Sequence, residues 1–266
     1  MSGSSRVSGD RSQKTIHVYG DGMPANDPTG RRFGEAALDY ERGRPEYPAA
    51  AVDALLRGQP RIVVDLGAGT GKFTRALVGR VETVIAVEPD DAMRAVLSGL
   101  LPQVTALPGV GEAIPLPDGS ADLVVCAQAW HWVDPARAVP EVARVLRPDG
   151  VLGLVWNDRD ETDPWLAALG ALLSEYGTAP DAAYTPTIGE PFGPIERSEH
   201  GWTNHVAMDD VVAMVTSRSY VIALEPARRG ELVARVRSLA ASVADPETGL
   251  VPVPYMTRTY LARRGG

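Results

Sequence analysis

A chain of 266 residues, 44% apolar and 23% charged, is long enough to bury the core of one large α/β domain with insertions. Its formal charge of −8, without any long Lys/Arg run, argues against nucleic acid as a partner, because a phosphate backbone demands clustered positive charge. The single cysteine, Cys126, excludes an intrachain disulfide and a Cys-based metal cluster. It sits in the apolar run Leu123-Val124-Val125-Cys126, so its thiol reads as buried and inert rather than nucleophilic. No apolar stretch approaches ~18 residues and the N-terminus lacks a basic-then-apolar leader pattern, so no membrane partner and a cytoplasmic location are expected.

In chain order, residues 1–30 are rich in Ser, Gly, Asp and Pro without apolar periodicity and read as a disordered extension. Residues 31–266 read as a single domain: an N-terminal cover over 31–60, a core over 61–156, and late strands with insertions over 157–266. From Arg61 the pattern alternates: a strand to Leu66, a Gly-rich turn, a helix from Lys72 to Gly79, a strand from Thr83 to Glu88, and a helix from Asp90 to Leu100. That rhythm predicts a mostly parallel sheet with helices on both faces. A short strand around Gln103–Leu107 and a stronger one over Ala121–Ala127 follow. Pro135–Leu146 has helical spacing, with Pro140 expected to kink or restart the helix. Pro148-Asp149-Gly150 predicts a turn into a strand over Val151–Trp156. Beyond lie a helix over Pro164–Tyr176 and a Pro- and Gly-punctuated loop over Gly177–Pro194, long enough for a lid or substrate wall. The last third predicts a strand near Gly201–Ala207, helices near Asp209–Thr216 and Pro226–Ala241, and a closing strand near Pro254–Ala262.

The densest chemical signal is Val63-Val64-Asp65-Leu66-Gly67-Ala68-Gly69-Thr70-Gly71-Lys72, a strand running into three glycines and then a helix. A Walker A loop is excluded by spacing, and G-x-G-x-G departs from the G-x-G-x-x-G of dinucleotide folds. At the tip of the next strand stands Glu88, which can accept two hydrogen bonds from a ribose diol or can cap the helix that follows.

Together these segments resemble the signature of class I S-adenosylmethionine-dependent methyltransferases (the methyltransferase type 11 domain). Further matches are Gly109–Asp118, Ala121-Asp122-Leu123-Val124 and the Arg144–Gly150 stretch, so that the resemblance spans about Ala36–Trp156. It implies a Rossmann-like seven-stranded sheet with an antiparallel last strand, extra helices inserted late, and S-adenosyl-L-methionine as methyl donor with S-adenosyl-L-homocysteine as product. It also implies donor contacts from Asp65, Gly67, Ala68, Gly69, Gly71, Glu88, Pro89 and Met93, and an adenine edge at Gly111, Glu112 and Ala113. Val110 departs from the family, many members of which carry Asp there; Val110 can only pack.

Three clusters are candidates for the acceptor side. Phe33–Pro48 is similar to a segment of the trans-aconitate methyltransferase-like subgroup, which implies that Tyr40 and Arg44 grip the donor carboxylate; a core tyrosine and a surface arginine are the alternative. Gln128-Ala129-Trp130-His131-Trp132, at the tip of the fourth predicted main strand, offers His131 as base or hydrogen-bonding partner, Trp132 as pocket wall and Gln128 as a donor or acceptor contact. A histidine that merely packs and caps the next helix is the alternative. The third, Trp156-Asn157-Asp158-Arg159-Asp160, either binds substrate or solvates a turn; Trp202 and Tyr220 either line the pocket or belong to the core. The function expected is methylation of a small-molecule acceptor, perhaps at a carboxylate oxygen, without a metal. The alternatives are a natural-product O-, N- or C-methyltransferase, a non-catalytic donor-binding regulator, and a nicotinamide dehydrogenase. Oligomeric state is left open by the sequence.

Overall fold

The computed structural model describes residues 41, 43–177 and 186–265. The expected extension over 1–30, Tyr40 and part of the predicted loop over 177–194 lie outside the described residues.

The elements run α1 (Ala49–Leu55), β1 (Ile62–Leu66), α2 (Lys72–Leu77), β2 (Thr83–Val87), α3 (Asp91–Leu100), β3 (Thr105–Leu107), β4 (Ala121–Ala127), α4 (Pro135–Val145), β5 (Leu146–Arg159), α5 (Pro164–Ser174), β6 (Glu196–Val206), α6 (Met208–Thr216), α7 (Ser219–Ile222), α8 (Pro226–Ala241) and β7 (Val251–Arg263). They build one seven-stranded sheet in the order β3-β2-β1-β4-β5-β7-β6. The pairings from β3 to β5 are parallel, and β7 runs antiparallel to both β5 and β6. Strand order reverses between β1 and β4, and in open α/β sheets that reversal leaves a crevice at the strand C-termini.

Parallel strands covered on both faces read as apolar runs whose alternate residues enter opposite cores. Val64, Leu66, Val124, Cys126, Leu152 and Leu154 enter one core together with Val139 and Val142 of α4. Val63, Leu123, Val125 and Val155 enter the other with Val52 and Leu55 of α1 and Phe73 and Leu77 of α2. A third cluster unites the inserted helices with the late strands, through Leu166, Leu169, Val211, Leu232, Val236 and Tyr255. Burial pushes the Cys126 thiol up, as expected for an inert cysteine. Among the described residues, no helix is long and apolar enough to cross a membrane.

Three local expectations change. α1 has no counterpart in the sequence reading; its seven residues carry Val52, Ala54 and Leu55 into the sheet face, and packing rather than length sustains it. α4 continues across Pro140 without a restart, started by Pro135 and by the Asp134 carboxylate, which accepts from the Ala136 amide. Pro148-Asp149-Gly150 is an irregularity inside β5 rather than a turn ahead of it. β4 pairs first with Leu146 and then, beyond a register shift, with Val151, while Asp149 takes φ 62°.

Gly153 lies where the sheet meets α1: a Cβ there would come within 2.8 Å of Leu55 Cδ2 and 3.3 Å of Val125 Cγ1. Gly153→Val should therefore overpack this junction by roughly 1–3 kcal/mol and lower Tm by about 3–10 °C in a calorimetric scan. An unchanged Tm would mean that α1 does not press on the sheet.

Candidate functional site

The glycine turn occupies the crevice. Gly67, Gly69 and Gly71 all have positive φ, 71°, 57° and 92°, which side chains rarely adopt. The first two are glycines for different reasons. A Cβ on Gly67 would collide with Ala129 Cβ at 2.7 Å, so this residue locks the turn against the tip of β4. A Cβ on Gly69 would meet only Met93 Sδ, at 3.9 Å, so its open side is free for a ligand to approach backbone. Gly67–Thr70 line a cleft with Lys72, Phe73, Gln128, Asn157, Arg44 and Tyr47.

Two buried carboxylates support the turn. Asp65 is fully buried, and its Oδ2 accepts from Thr74 Oγ1 at 2.6 Å, which fixes α2 to β1. Burial, reinforced by the charge of Glu88, raises its pKa to about 7. Glu88 accepts the Gly69 amide on Oε2 at 2.8 Å and the Asp90 amide on Oε1 at 2.9 Å. Burial raises its pKa against those two hydrogen bonds. The helix-capping role belongs to Asp90, whose Oδ1 accepts the Ala92 and Met93 amides. Glu88 instead ties the glycine turn to the tip of β2, and its two oxygens keep acceptor capacity beyond the amides they hold.

Gln128 follows β4 with φ 56°, an uncommon conformation for a non-glycine and one frequent at functional positions. Its Nε2 donates to the Asn157 carbonyl at 2.9 Å. Asn157 Nδ2 donates to the Glu46 carbonyl at 2.9 Å, and its Oδ1 accepts from Thr257 Oγ1 at 2.5 Å. Thr257 accepts in turn from Trp202 Nε1 at 2.8 Å. This relay joins β4, the cover, β5, β7 and β6. Glu41 fastens the cover from the other side, accepting from Thr70 Oγ1 at 2.5 Å and pairing with Arg75 at 2.9 Å. Of the undecided cluster after the fifth predicted main strand, Asn157 thus lines the cleft; Tyr47, Lys72 and Phe73 also line it and were not singled out in the sequence. Only the side-chain type and strand-end position of Asn157 could have flagged it.

The other candidates are spread around this cleft. Arg44 lines it. His131 and Trp132 lie on a 3₁₀ turn over Trp130–Trp132, with ring centroids 5.0 Å apart; Trp132 is 53% exposed, and neither lines the cleft. Gly111 packs against Val133, and Glu112 Oε1 accepts the Asp134 amide at 2.7 Å, which fastens this loop to the start of α4. Ala113 and Pro89 are exposed, Met93 is half-buried, and Val110 bridges Ala113 in backbone pairing. Arg144 stabilises the loop leading away from that edge by donating to the carbonyls of Ile114 and Leu116 at 3.0 and 2.9 Å.

Residues 64–154 match the family model of a methyltransferase domain. An uncharacterized methyltransferase of Mycobacterium tuberculosis is 48% identical over 85% of this chain and 92% of its own. A malonyl-[acyl-carrier protein] O-methyltransferase of Methylococcus capsulatus is 35% identical over 46% of this chain and 49% of its own. A structure solved as a type II methyltransferase from Anaeromyxobacter dehalogenans superposes with a TM-score of 0.62 at 26% identity, covering 83% of this chain and 97% of that one.

The buried Asp65 makes stability depend on pH. Its folded pKa of about 7 lies above the ordinary 3.8, so its contribution is fully present below about 4 and is lost as pH rises through about 7. Asp65→Asn removes that penalty, up to roughly 4 kcal/mol, and still accepts from Thr74. Its Tm relative to wild type should rise by about 4–10 °C between pH 5 and pH 8. Parallel Tm curves for the two proteins would contradict the raised pKa.

Proposed function

Because the chain belongs to the class I S-adenosylmethionine-dependent methyltransferases, we propose that it transfers a methyl group to a small-molecule acceptor, at a carboxylate oxygen, in the cleft between the glycine turn and Asn157. The observation that carries this reading is the glycine turn itself. It stands at the strand-order reversal with Gly69 open to the cleft and Glu88 held beside it. The residues fit the donor: Gly67–Gly71 would take the methionine end, Glu88 the ribose diol, and Gly111–Ala113 the adenine edge. When bound, S-adenosylmethionine supplies a methyl group made electrophilic by its sulfonium.

The chain's own work is then positioning and exclusion of water, the terms expected to dominate where an electrophile is already activated. Gln128, strained and held by the Asn157 carbonyl, presents a fixed amide at the cleft wall. Among the described residues, the cations Arg44 and Lys72 line the cleft and no carboxylate does, which suits the anionic ends of donor and acceptor, although Lys72 also pairs with Glu41 and Glu46 at the rim. An oxygen acceptor is supported by the Methylococcus relative, an O-methyltransferase by name. A carboxylate is already ionised at neutral pH and needs no base. That requirement agrees with a His131 that stands away from the cleft lining. The negative net charge supports a metabolite over nucleic acid as acceptor.

S-adenosylhomocysteine should bind by calorimetry, and Glu88→Ala should weaken it by roughly 1.5–3 kcal/mol, the worth of hydrogen bonds to a charged group. Wild-type affinity in that variant would remove Glu88 from the donor site; no binding to wild type at millimolar ligand would sink the donor assignment. Incubation with labelled donor and metabolite pools identifies the acceptor. With it in hand, His131→Ala should lower kcat by less than about tenfold and leave the pH profile unchanged. A loss of about a hundredfold, with disappearance of an acid limb where imidazoles titrate, would instead assign a hydroxyl or amine acceptor deprotonated by His131.

A further inference from the structure

Beyond Asn157 the face of β5 that lines the cleft continues to Arg159, two residues and about 7 Å further along the strand. Arg159 is directly opposite Tyr255 of β7, which in turn is opposite Trp202 of β6. Only 12% of the Arg159 side chain is exposed; one nitrogen, Nη2, reaches Glu161 at 3.3 Å. Among the described residues, its Nε and Nη1 are buried without a hydrogen-bond partner, and so is Nε of Arg218, on the turn between α6 and α7. Burial and the nearby charge of Arg218 together hold the Arg159 guanidinium below its ordinary pKa.

Tyr255 is the point on which these cations converge. Burial raises its phenol pKa, against the pull of Arg159, Arg44 and Arg218. Its hydroxyl donates to Met214 Sδ at 3.3 Å, and its ring stacks on Trp202 with centroids 5.4 Å apart. Tyr255 also lines a second cleft with Met214, Asn204, Asp210 and Arg44. Arg44 lines both clefts, so the second opens beside the first. Glu161 and Asp210 supply two carboxylates near three arginines. Burying like-charged guanidiniums with donors unpaired costs folding free energy and is recovered only when an anion arrives.

We propose that Arg159 and Arg218 form an acceptor subsite for a second, non-reacting oxyanion of the substrate, a carboxylate or phosphate group carried about 7 Å beyond the part of the substrate that meets Asn157. This deepens the methyltransferase reading and rests on it. The acceptor is then at least doubly functionalised: one end meets the donor cleft at Gln128 and Asn157, and the other is anchored by guanidiniums behind Tyr255. Arg44, between the clefts, screens the two ends from each other.

The test uses the full chain saturated with S-adenosylhomocysteine and titrated calorimetrically with glutarate, with neutral glutaramide and with inorganic phosphate. One of the two anions should bind and glutaramide should not. Arg159→Gln and Arg218→Gln should each weaken that anion about tenfold or more while S-adenosylhomocysteine affinity stays within about twofold. Tighter glutarate assigns a carboxylate, and tighter phosphate assigns a phosphate ester. If wild type binds S-adenosylhomocysteine but neither anion, or if the variants bind the anion as well as wild type, the subsite is wrong and the methyltransferase reading stands. Failure of S-adenosylhomocysteine to bind wild type would overturn both. Arg159→Met supplies a readout that needs no ligand: replacing an unpaired buried cation with a neutral chain of similar length should raise the Tm of the unliganded protein by about 2–6 °C. A lowered Tm would make Arg159 a structural residue and overturn the proposal.

Discussion

The two hydrogen bonds made by the side chain of Asn157 hold the site in one piece. Its amide grips the Glu46 carbonyl of the cover, and its oxygen accepts from Thr257 of β7, while Gln128 of the β4 tip donates to its backbone carbonyl. Each partner comes from a different part of the chain, so the cleft wall is defined only when β4, β5, β7 and the cover are all in place. Hydrogen bonds linked in this way reinforce one another in a buried setting, and a half-satisfied relay would cost more than an apolar one. Extension through Thr257 to Trp202 carries the same constraint to β6, where Trp202 stacks on Tyr255, a residue lining the second cleft.

Charge is distributed across that wall with opposite signs. On the glycine-turn side Asp65 and Glu88 are buried carboxylates, one holding α2 to β1 and the other holding the turn to β2. On the far side Arg159 and Arg218 are cations with buried nitrogens that lack partners among the described residues. The acidic side is internally satisfied apart from Asp65 Oδ1, whereas the basic side is left in deficit. A fold that tolerates such a deficit beside a cleft keeps it for something that arrives from solvent, since a methionine or leucine in the same volume would be more stable.

The inserted helices explain how the basic side stays dry. α5, α6 and α8 share a core of their own with β6 and β7, packed through Leu169, Val211, Val215, Leu232 and Val236. That core turns the late strands from a simple edge into a wall, with Tyr255 contributing to it on one side and lining the second cleft on the other. The glycine turn and the second cleft thereby rest on separate hydrophobic clusters, one under β1, β4 and β5 and one under the insertions.

The part of this protein that its sequence determines is the part made by neighbours in sequence. The turn from Gly67 to Gly71, the acid at Glu88 and the alternation of apolar strands with helices are fixed by residues within a few positions of one another, because positive φ and strand–helix periodicity are local demands. Even there, short-range reading failed where tertiary packing outweighed it: α1 forms on the sheet face, and Asp149 bends a continuous β5 instead of ending a loop. Only the tertiary structure decided the wall beyond Asn157. Asn157 and Arg159 read equally as substrate binders or as turn-solvating residues until β7, about a hundred positions later, pairs antiparallel with β5 and sets Thr257 and Tyr255 opposite them. Arg218 reaches the same place from a turn between inserted helices, which no periodicity in the chain encodes. Register between distant strands is set by the whole sheet, so the meeting of those arginines is a property of the fold rather than of any segment.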